Sequence, residues 1–293
     1  MTDVRSAAVI GAGTMGNGIA QCCAMAGIPV FLVDIEDRFV QRGMETVRTS
    51  LARFVKSQKL TQAQADGALA LITPTTDFSA AVKDVDLVIE AVPEVLDLKQ
   101  DVFKRLAAGT RKDTVLATNT SQFSISALAA STDRPQDVIG LHFFNPPVLM
   151  KLIEIIRGVR TADRTLEVAL ALTRQLGKEA AVCRRDSVGF ITSRALAALR
   201  LECVRIYEEG IASIEDIDRA IRLGLNHPMG PFELNDFNGL DTALHNTNSL
   251  HQAFGDRFIA PQSLITRVRS GMLGRKTGAG WYDYSGEKPK PID

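Results

Sequence analysis

The segment VIGAGTMGNGIAQ near the amino terminus constrains the fold more than any other stretch. Gly11, Gly13 and Gly16 have G-x-G-x-x-G spacing, after an apolar strand-like run and before a helical pattern. There Gly11 permits a tight turn, Gly13 lets a pyrophosphate approach the backbone, and Gly16 allows close helix packing. Backbone amides at the helix start would hold the phosphates. The segment predicts a dinucleotide-binding unit; an ordinary glycine turn is the alternative.

A carboxylate occupies the position where such a unit holds the adenosine ribose. Asp34 ends the next apolar run, VFLVD, about twenty residues after the glycines. An acidic side chain there binds both ribose hydroxyls and repels a 2′-phosphate. We therefore expect NAD as the cofactor rather than NADP. A surface aspartate with no ligand is the alternative.

Strand-like and helix-length segments alternate over the first half of the chain. Continuous apolar runs predict strands buried on both faces, at 7–10, 30–34, 87–91, 115–118 and 138–142. A helix at 163–175 and a last strand through residue 182 follow. The pattern predicts an α/β, Rossmann-type, mostly parallel sheet. Segment 37–70 has helical spacing with a break near 58–61, which predicts a helical hairpin inserted in this domain.

From residue 187 the strand-like runs disappear. Five segments have helical character, at 190–209, 214–223, 231–238, 242–254 and 261–270. Ser213 followed by Asp216, and Pro231 as a first helical residue, are typical helix starts. We therefore expect an NAD-binding domain at 1–186 and an all-α domain for substrate binding and dimerisation at 187–293.

The composition excludes several classes of protein. The formal net charge is zero, which argues against a general nucleic-acid binder. No apolar run is long enough to span a bilayer, and the first strand begins too early for a signal peptide. The four cysteines lack C-x-x-C spacing, and the histidines form no ligand cluster. We expect a cytoplasmic protein with no metal, nucleic-acid or membrane partner.

A carboxylate inside an apolar segment points to the reaction. In GLHFFNPPVLMKLIEIIRG, His142 and Glu154 lie six positions on either side of residue 148, where two prolines favour a chain reversal. An antiparallel return would place the two side chains opposite each other. Glu154 would then hold one tautomer of His142 and stabilise its protonated form, making His142 a base near neutral pH. Pairing of Glu154 with Lys151, or exposure on an edge strand, are the alternatives.

The succession of motifs resembles that of the 3-hydroxyacyl-CoA dehydrogenases, especially their short bacterial 3-hydroxybutyryl-CoA type. The resemblance covers essentially the whole chain, from VIGAGTMGNGIAQ through DLVIEAVPE, ATNTS and GLHFFNPP to NHPMGP and GRKTGAGWYDY. It implies an NAD-binding Rossmann-type domain and a helical domain that forms a homodimer. It also implies reversible, 3S-specific oxidation of a 3-hydroxyacyl-CoA thioester to the 3-oxoacyl-CoA.

The resemblance also implies roles for individual residues. His142 matches the catalytic base, Glu154 its partner, and Ser121 a serine near the nicotinamide and the substrate oxygen. Capping of the helix before Ile125 is the alternative for Ser121, and the serine could have both roles at once. The implied cofactor contacts are Gly11, Ala12, Gly13, Thr14, Met15, Gly16, Asp34, Glu94, Lys99, Asn119, Asn145 and Lys276. Read without the resemblance, Glu94 and Lys99 are surface residues near a helix start. Lys56, with less support Lys59, and again Ser121 match contacts to coenzyme A, whereas a solvated basic face is the alternative for the lysines.

One difference from the family pattern leaves the identity of the substrate's acyl group undetermined. Ser193, in VGFITSRAL, stands where the family usually has an asparagine that orients the substrate. Gln122 and Phe123 replace a common serine and leucine beside the pocket. A dehydrogenase of a hydroxy acid lacking coenzyme A, such as a sugar acid or carnitine, is therefore an alternative. A non-catalytic NAD-binding protein is a second alternative.

Overall fold

The computed structural model describes residues 3–292, which form two compact units, one ending at Phe190 and the other beginning at Ile191. The first unit is built on an eight-stranded sheet in the order β3-β2-β1-β4-β5-β6-β7-β8. Its strands are β1 Ala7–Ile10, β2 Val30–Val33, β3 Ile72–Thr75, β4 Leu87–Glu90, β5 Val115–Thr118, β6 Val138–Phe143, β7 Leu152–Arg157 and β8 Glu179–Cys183. All neighbours pair in parallel except β6 and β7. This confirms the predicted Rossmann-type sheet.

Helices cover both faces of this sheet, as crossover connections between parallel strands require. They are α1 Thr14–Met25, α2 Asp37–Lys56, α3 Gln62–Ala70, α4 Phe78–Val82, α5 Leu96–Gly109, α6 Ile125–Ala129 and α7 Asp163–Gln175. Successive strand residues point to opposite faces. Val9 and Ile89 therefore pack with α1, α2 and α7, whereas Ala8 and Val88 pack with α4, α5 and α6.

The predicted helical hairpin is formed by α2 and α3. Val40, Met44 and Val47 bury one face of α2 in the core, so the first half of the hairpin packs against the domain. Thr61 begins α3 with a capping box, in which its hydroxyl accepts from the amide of Gln64. This cap fixes the residue at which α3 begins.

The sequence-based prediction omitted strand β3. The segment ITPT has only one buried residue, Ile72, and includes Pro74. A proline is tolerated in a strand at the edge of a sheet, and β3 is the outermost strand, paired only with β2. The segment therefore lacks the continuous apolar run that identifies the central strands.

The second unit is helical, as predicted. Its helices are α8 Thr192–Glu208, α9 Ile214–Gly224, α10 Pro231–Asn238, α11 Leu240–Phe254 and α12 Gln262–Arg269. A two-stranded ribbon, β9 Tyr282–Asp283 with β10 Lys290–Pro291, was not predicted. Trp281 is completely buried against Phe232. Within residues 3–292, no helix is long and apolar enough to cross a membrane.

Candidate active site and cofactor cleft

The glycine loop joins the end of β1 to the start of α1. Gly11 has a φ of 103°, and a Cβ there would lie 2.6 Å from the carbonyl oxygen of Ala91. A Cβ on Gly16 would collide with the carbonyl oxygen of Gly11, whereas a Cβ on Gly13 would meet no atom within 4 Å. The loop is therefore closed on its inner side and open at Gly13. The first amides of α1 have no acceptor inside the helix and are available to bind an anion.

Asp34 lies directly after β2 at the rim of a cavity of 770 Å³. Its Oδ2 accepts the amide of Ala12 at 2.7 Å, which fixes the carboxylate against the glycine loop. The cavity wall includes Phe39 and Phe78, and the guanidinium of Arg105 lies 4.0 Å from the centre of the Phe78 ring. Apolar walls suited to an adenine and a carboxylate suited to a ribose fit an adenine dinucleotide.

His142 and Glu154 face each other across the antiparallel pair β6–β7. The distance from Nδ1 to Oε2 is 2.8 Å, and the glutamate is 0% exposed. Strand β7 lies between β6 and β8, which excludes the edge-strand alternative. Lys151 precedes the strand and is exposed. The predicted register is therefore confirmed, and an imidazole is the partner of the buried carboxylate.

Ser121 lies on the other side of the imidazole. Its Oγ is 3.0 Å from Nε2 of His142. Because the carboxylate of Glu154 accepts from Nδ1–H, Nε2 carries the lone pair in the neutral ring, and the serine hydroxyl donates to it. The helix-cap alternative for Ser121 is wrong, since Ser124 caps α6 by accepting the amide of Ala127. The resulting chain of hydrogen bonds presents Nε2 as a proton acceptor beside a hydroxyl group.

Glu94 and Lys99 contact each other beneath this serine. The distance from Lys99 Nζ to Glu94 Oε2 is 3.1 Å, and Oε1 of Glu94 accepts the amide of Ser121 at 3.0 Å. Lys99 is only 1% exposed, so its interpretation as a surface residue is wrong. Asn119, at the end of β5, accepts the amide of Phe143 at 2.9 Å and ties the loop to the histidine strand.

Two predicted site residues lie in the second unit. Both carboxylate oxygens of Asp241 are 2.6 Å from Nζ of Lys276, and this hydrogen bond lowers the pKa of the aspartate. Ser193 is the second residue of α8 and is half-buried. In the first unit, Asn145 is exposed and precedes a cis peptide bond to Pro146.

A second cavity, of 670 Å³, lies between α1, α2 and the loop after β6. Arg42, Arg53 and Lys59 bring three cations to its wall, against one carboxylate, from Glu45. Lys56 ends α2 and is exposed, but it does not line this cavity. The sequence analysis missed both arginines. The sequence nevertheless indicates them by its spacing. Intervals of four, three and four residues place Arg42, Thr46, Thr49 and Arg53 on one face of the helix.

Comparison with known proteins gives full-length matches. The family model described as "3-hydroxyacyl-CoA dehydrogenase, NAD binding domain" matches residues 6–187, and the model of the C-terminal domain of the same family matches residues 189–284. The 3-hydroxybutyryl-CoA dehydrogenase of Bradyrhizobium diazoefficiens is 42% identical over 289 residues, or 98% of each chain. That of Clostridioides difficile is 42% identical over 95% of this chain and 99% of its own. The crystal structure of (S)-3-hydroxybutyryl-CoA dehydrogenase from Ralstonia eutropha has a TM-score of 0.94 and 44% identity, covering 97% of this chain and 100% of that one.

Proposed function

The chain belongs to the 3-hydroxyacyl-CoA dehydrogenase family of NAD-dependent oxidoreductases, and we propose that it interconverts a short (S)-3-hydroxyacyl-CoA and its 3-oxoacyl-CoA. The observation that carries this proposal is the hydrogen-bonded chain of Ser121, His142 and Glu154. The names of the similar proteins support 3-hydroxybutyryl-CoA as the substrate of this chain.

The three residues of that chain have separate tasks in the proposed mechanism. When bound, NAD supplies the acceptor for the hydride that leaves C3. His142 takes the proton of the 3-hydroxyl group on Nε2, and Glu154 stabilises the imidazolium through the 2.8 Å contact with Nδ1. Ser121 orients the reacting oxygen, since its hydroxyl lies 3.0 Å from the same Nε2. In the reductive direction the imidazolium returns the proton.

The residues proposed to hold NAD lie at the ends of parallel strands, where dinucleotides bind in open α/β sheets. The amides of the loop Gly11–Gly16 would bind the pyrophosphate, and Asp34 the ribose. Proposed contacts near the nicotinamide are Glu94, Lys99, Asn119 and Asn145, together with Lys276 from the second unit. We assign the NAD-binding domain to residues 1–186, and substrate binding with dimerisation to residues 187–293, where Ser193 would contact the acyl group.

The cationic cavity beside α2 supports a coenzyme A thioester, whose phosphates would meet the arginines. Replacing Arg53 with Gln is expected to raise KM for acetoacetyl-CoA by about fivefold, the size of an exposed ion pair of about 1 kcal/mol. KM for acetoacetyl-pantetheine, which lacks the nucleotide, should not change. Lys112→Gln is the matched control, since that lysine pairs with Asp133 on the surface. An equal rise for both thioesters would contradict the assignment.

We also infer a homodimer and a cytoplasmic location. Leu223, Leu225 and Phe237 of the second unit are 72%, 59% and 57% exposed, and a second copy of the chain would cover them. All four cysteines of the described chain are free and buried, as a reducing compartment favours. Sedimentation of the wild type beside Phe237→Glu tests the dimer, which the charged side chain should weaken.

Reduction of acetoacetyl-CoA with NADH, run beside NADPH and beside free acetoacetate, tests the function. We expect turnover confined to the thioester with NADH. Turnover of free hydroxy acids instead would favour a dehydrogenase of substrates without coenzyme A. Tight NADH binding without turnover would contradict the proposed substrate, and Ser193→Asn would then test whether the family's usual residue restores it.

A further inference from the structure

Arg200, on α8, is a buried cation that no carboxylate of residues 3–292 neutralises. The residue is 8% exposed, and its one hydrogen bond within that range runs from Nη1 to Oδ1 of Asn235 at 3.0 Å. Burial lowers the pKa of Arg200 to about 10, and no neighbouring charge of the described chain opposes that effect. The guanidinium therefore stays protonated at neutral pH. Because a buried charge is costly without a partner of opposite sign, this position favours an anion.

The donors around this cation are largely unused. A guanidinium has five N–H donors in a planar fork, and the bond to Asn235 uses one of them. Nε and Nη2 have no partner in the described chain, and neither belongs to its fully enclosed polar atoms, so both keep contact with solvent. Asn235 turns its amide oxygen to Arg200, which leaves Nδ2 as a further unpaired donor. A fork of this kind binds a carboxylate through two parallel hydrogen bonds.

Arg200 shares a helical face with Ser193, the residue that would contact the acyl group. The two are seven positions apart on α8, which is two turns, and Ala197 lies between them. At 1.5 Å per residue the separation along the axis is about 10 Å, which an acyl chain and a long arginine side chain span together. Ala197 adds only a methyl group to this face. An acyl group held at Ser193 can therefore extend along α8 towards the guanidinium.

We propose that Arg200 and Asn235 bind the far end of the acyl chain, and that the preferred thioester is a 3-hydroxyacyl-CoA whose chain ends in a carboxylate. The inference rests on the proposed function, which places the acyl group at Ser193. A chain that ends in a methyl group leaves the guanidinium unpaired, whereas a carboxylate neutralises it and accepts its free donors. Arg200 is thus a residue that determines specificity for the acyl chain, and the substrate range extends beyond 3-hydroxybutyryl-CoA.

Two thioesters of the same shape test this inference. The acyl chain of 3-oxoadipyl-CoA ends in a carboxylate, and 6-methyl-3-oxoheptanoyl-CoA has an uncharged isopropyl group in its place. The measurement is kcat/KM of the full chain with NADH for each thioester. For the wild type we expect a ratio of about ten- to a hundredfold in favour of the carboxylate, the size of a hydrogen bond to a charged group.

Three variants show whether Arg200 is the source of this preference. Arg200→Met removes the charge, so the ratio should fall by at least about tenfold. Arg200→Lys keeps the charge but loses the planar fork, and an intermediate ratio is expected. Arg205→Met is the matched control on the same helix, because that arginine already pairs with Glu202 at 3.2 Å. It should keep the wild-type ratio.

Two kinetic results would overturn the inference. One is an equal kcat/KM of the wild type for both thioesters, which needs no variant and so does not depend on whether Arg200→Met folds. The other is a ratio that Arg200→Met leaves unchanged. If sedimentation shows at the same time that this variant dissociates the dimer, the anion at Arg200 is a carboxylate of a second copy of the chain rather than one of the substrate.

Binding without cofactor separates this inference from the proposed function. Titration calorimetry in the absence of NADH gives the Kd of each thioester when no reaction can occur. If no thioester is turned over but the wild type binds 3-oxoadipyl-CoA more tightly and Arg200→Met does not, the proposed function is wrong and the carboxylate site stands. Turnover of both thioesters with equal Kd values would support the proposed function and refute the carboxylate site.

Discussion

Replacing Glu154 with Gln removes one charge from the proposed proton acceptor and preserves the size of the side chain. The carboxylate is 0% exposed, and its Oε2 lies 2.8 Å from Nδ1 of His142. A glutamine oxygen can still accept from Nδ1–H, so the neutral ring keeps its tautomer. The imidazolium formed in the reaction, in contrast, loses its negative partner. We therefore expect the defect to lie in turnover rather than in the binding of NADH.

The size of the effect follows from the charge and burial of the pair. A hydrogen bond to a charged group contributes about 1.5–3 kcal/mol, and each 1.4 kcal/mol changes a rate by about tenfold. Loss of the charge should thus lower kcat by roughly ten- to a hundredfold. Water cannot replace the missing carboxylate, because Glu154 is fully enclosed and His142 is only 6% exposed. The decrease should lie towards the upper end of that range.

Steady-state kinetics with acetoacetyl-CoA and NADH, combined with fluorescence titration of NADH, measures both quantities. Glu167→Gln, at an exposed position of α7, provides a charge-matched control that should keep wild-type kinetics. Thermal unfolding confirms that each variant is folded. If Glu154→Gln turns over within twofold of wild type while chemistry limits the rate, the carboxylate does not support proton transfer and the reasoning fails.

Three further changes test the cleft and the second unit. Gly16→Ala should abolish NADH binding in a titration, because the added Cβ would collide with the carbonyl oxygen of Gly11. Gly67→Ala, on α3, is the control: its Cβ would lie in open space, and the change should raise the free energy of unfolding by up to about 1 kcal/mol. Asp34→Ser should lower the preference of the enzyme for NADH over NADPH, measured as a ratio of kcat/KM values, because it removes the charge that repels a 2′-phosphate. The hydrogen bond from Lys276 lowers the pKa of Asp241 in the folded protein below its ordinary value of 3.8. The stability that this pair contributes is therefore present above pH 3.8, and it is lost as the pH falls through the pKa of Asp241 in the folded state. The difference in Tm between wild type and Lys276→Met should therefore shrink only in strongly acidic solution.

The central strands and the histidine–glutamate register could be predicted because each depends on local pattern. Strands buried on both faces are continuous apolar runs, and β1 and β5 have the predicted bounds. The register of β6 and β7 follows from two positions equally distant from one turn, which the pairing of His142 with Glu154 confirms. Strand β3 was missed because an edge strand with a proline has no such run.

The environment of Lys99 could not be predicted from its own segment. A lysine in the first turn of an amphipathic helix usually lies on the protein surface. The carboxylate that pairs with Lys99 belongs to Glu90, nine residues earlier on strand β4. A signal was nevertheless present in LVIE, where Glu90 ends an apolar run as Glu154 interrupts LIEIIR. An acidic residue in such a run requires a partner, and only the packing of α5 on the sheet identifies it.

Two buried glutamates on different strands, Glu90 and Glu154, each hold a cationic or ionisable side chain of the candidate site. Glu154 on β7 holds the imidazole of His142 directly, and Glu90 on β4 holds the buried ammonium group of Lys99. Both anchors are 0% exposed, so the sheet fixes them before any ligand binds. Groups placed in advance need no reorganisation during the reaction, and electrostatic stabilisation is strongest under that condition. Loss of the carboxylate of Glu154 should therefore reduce kcat more than it weakens the binding of substrate or cofactor.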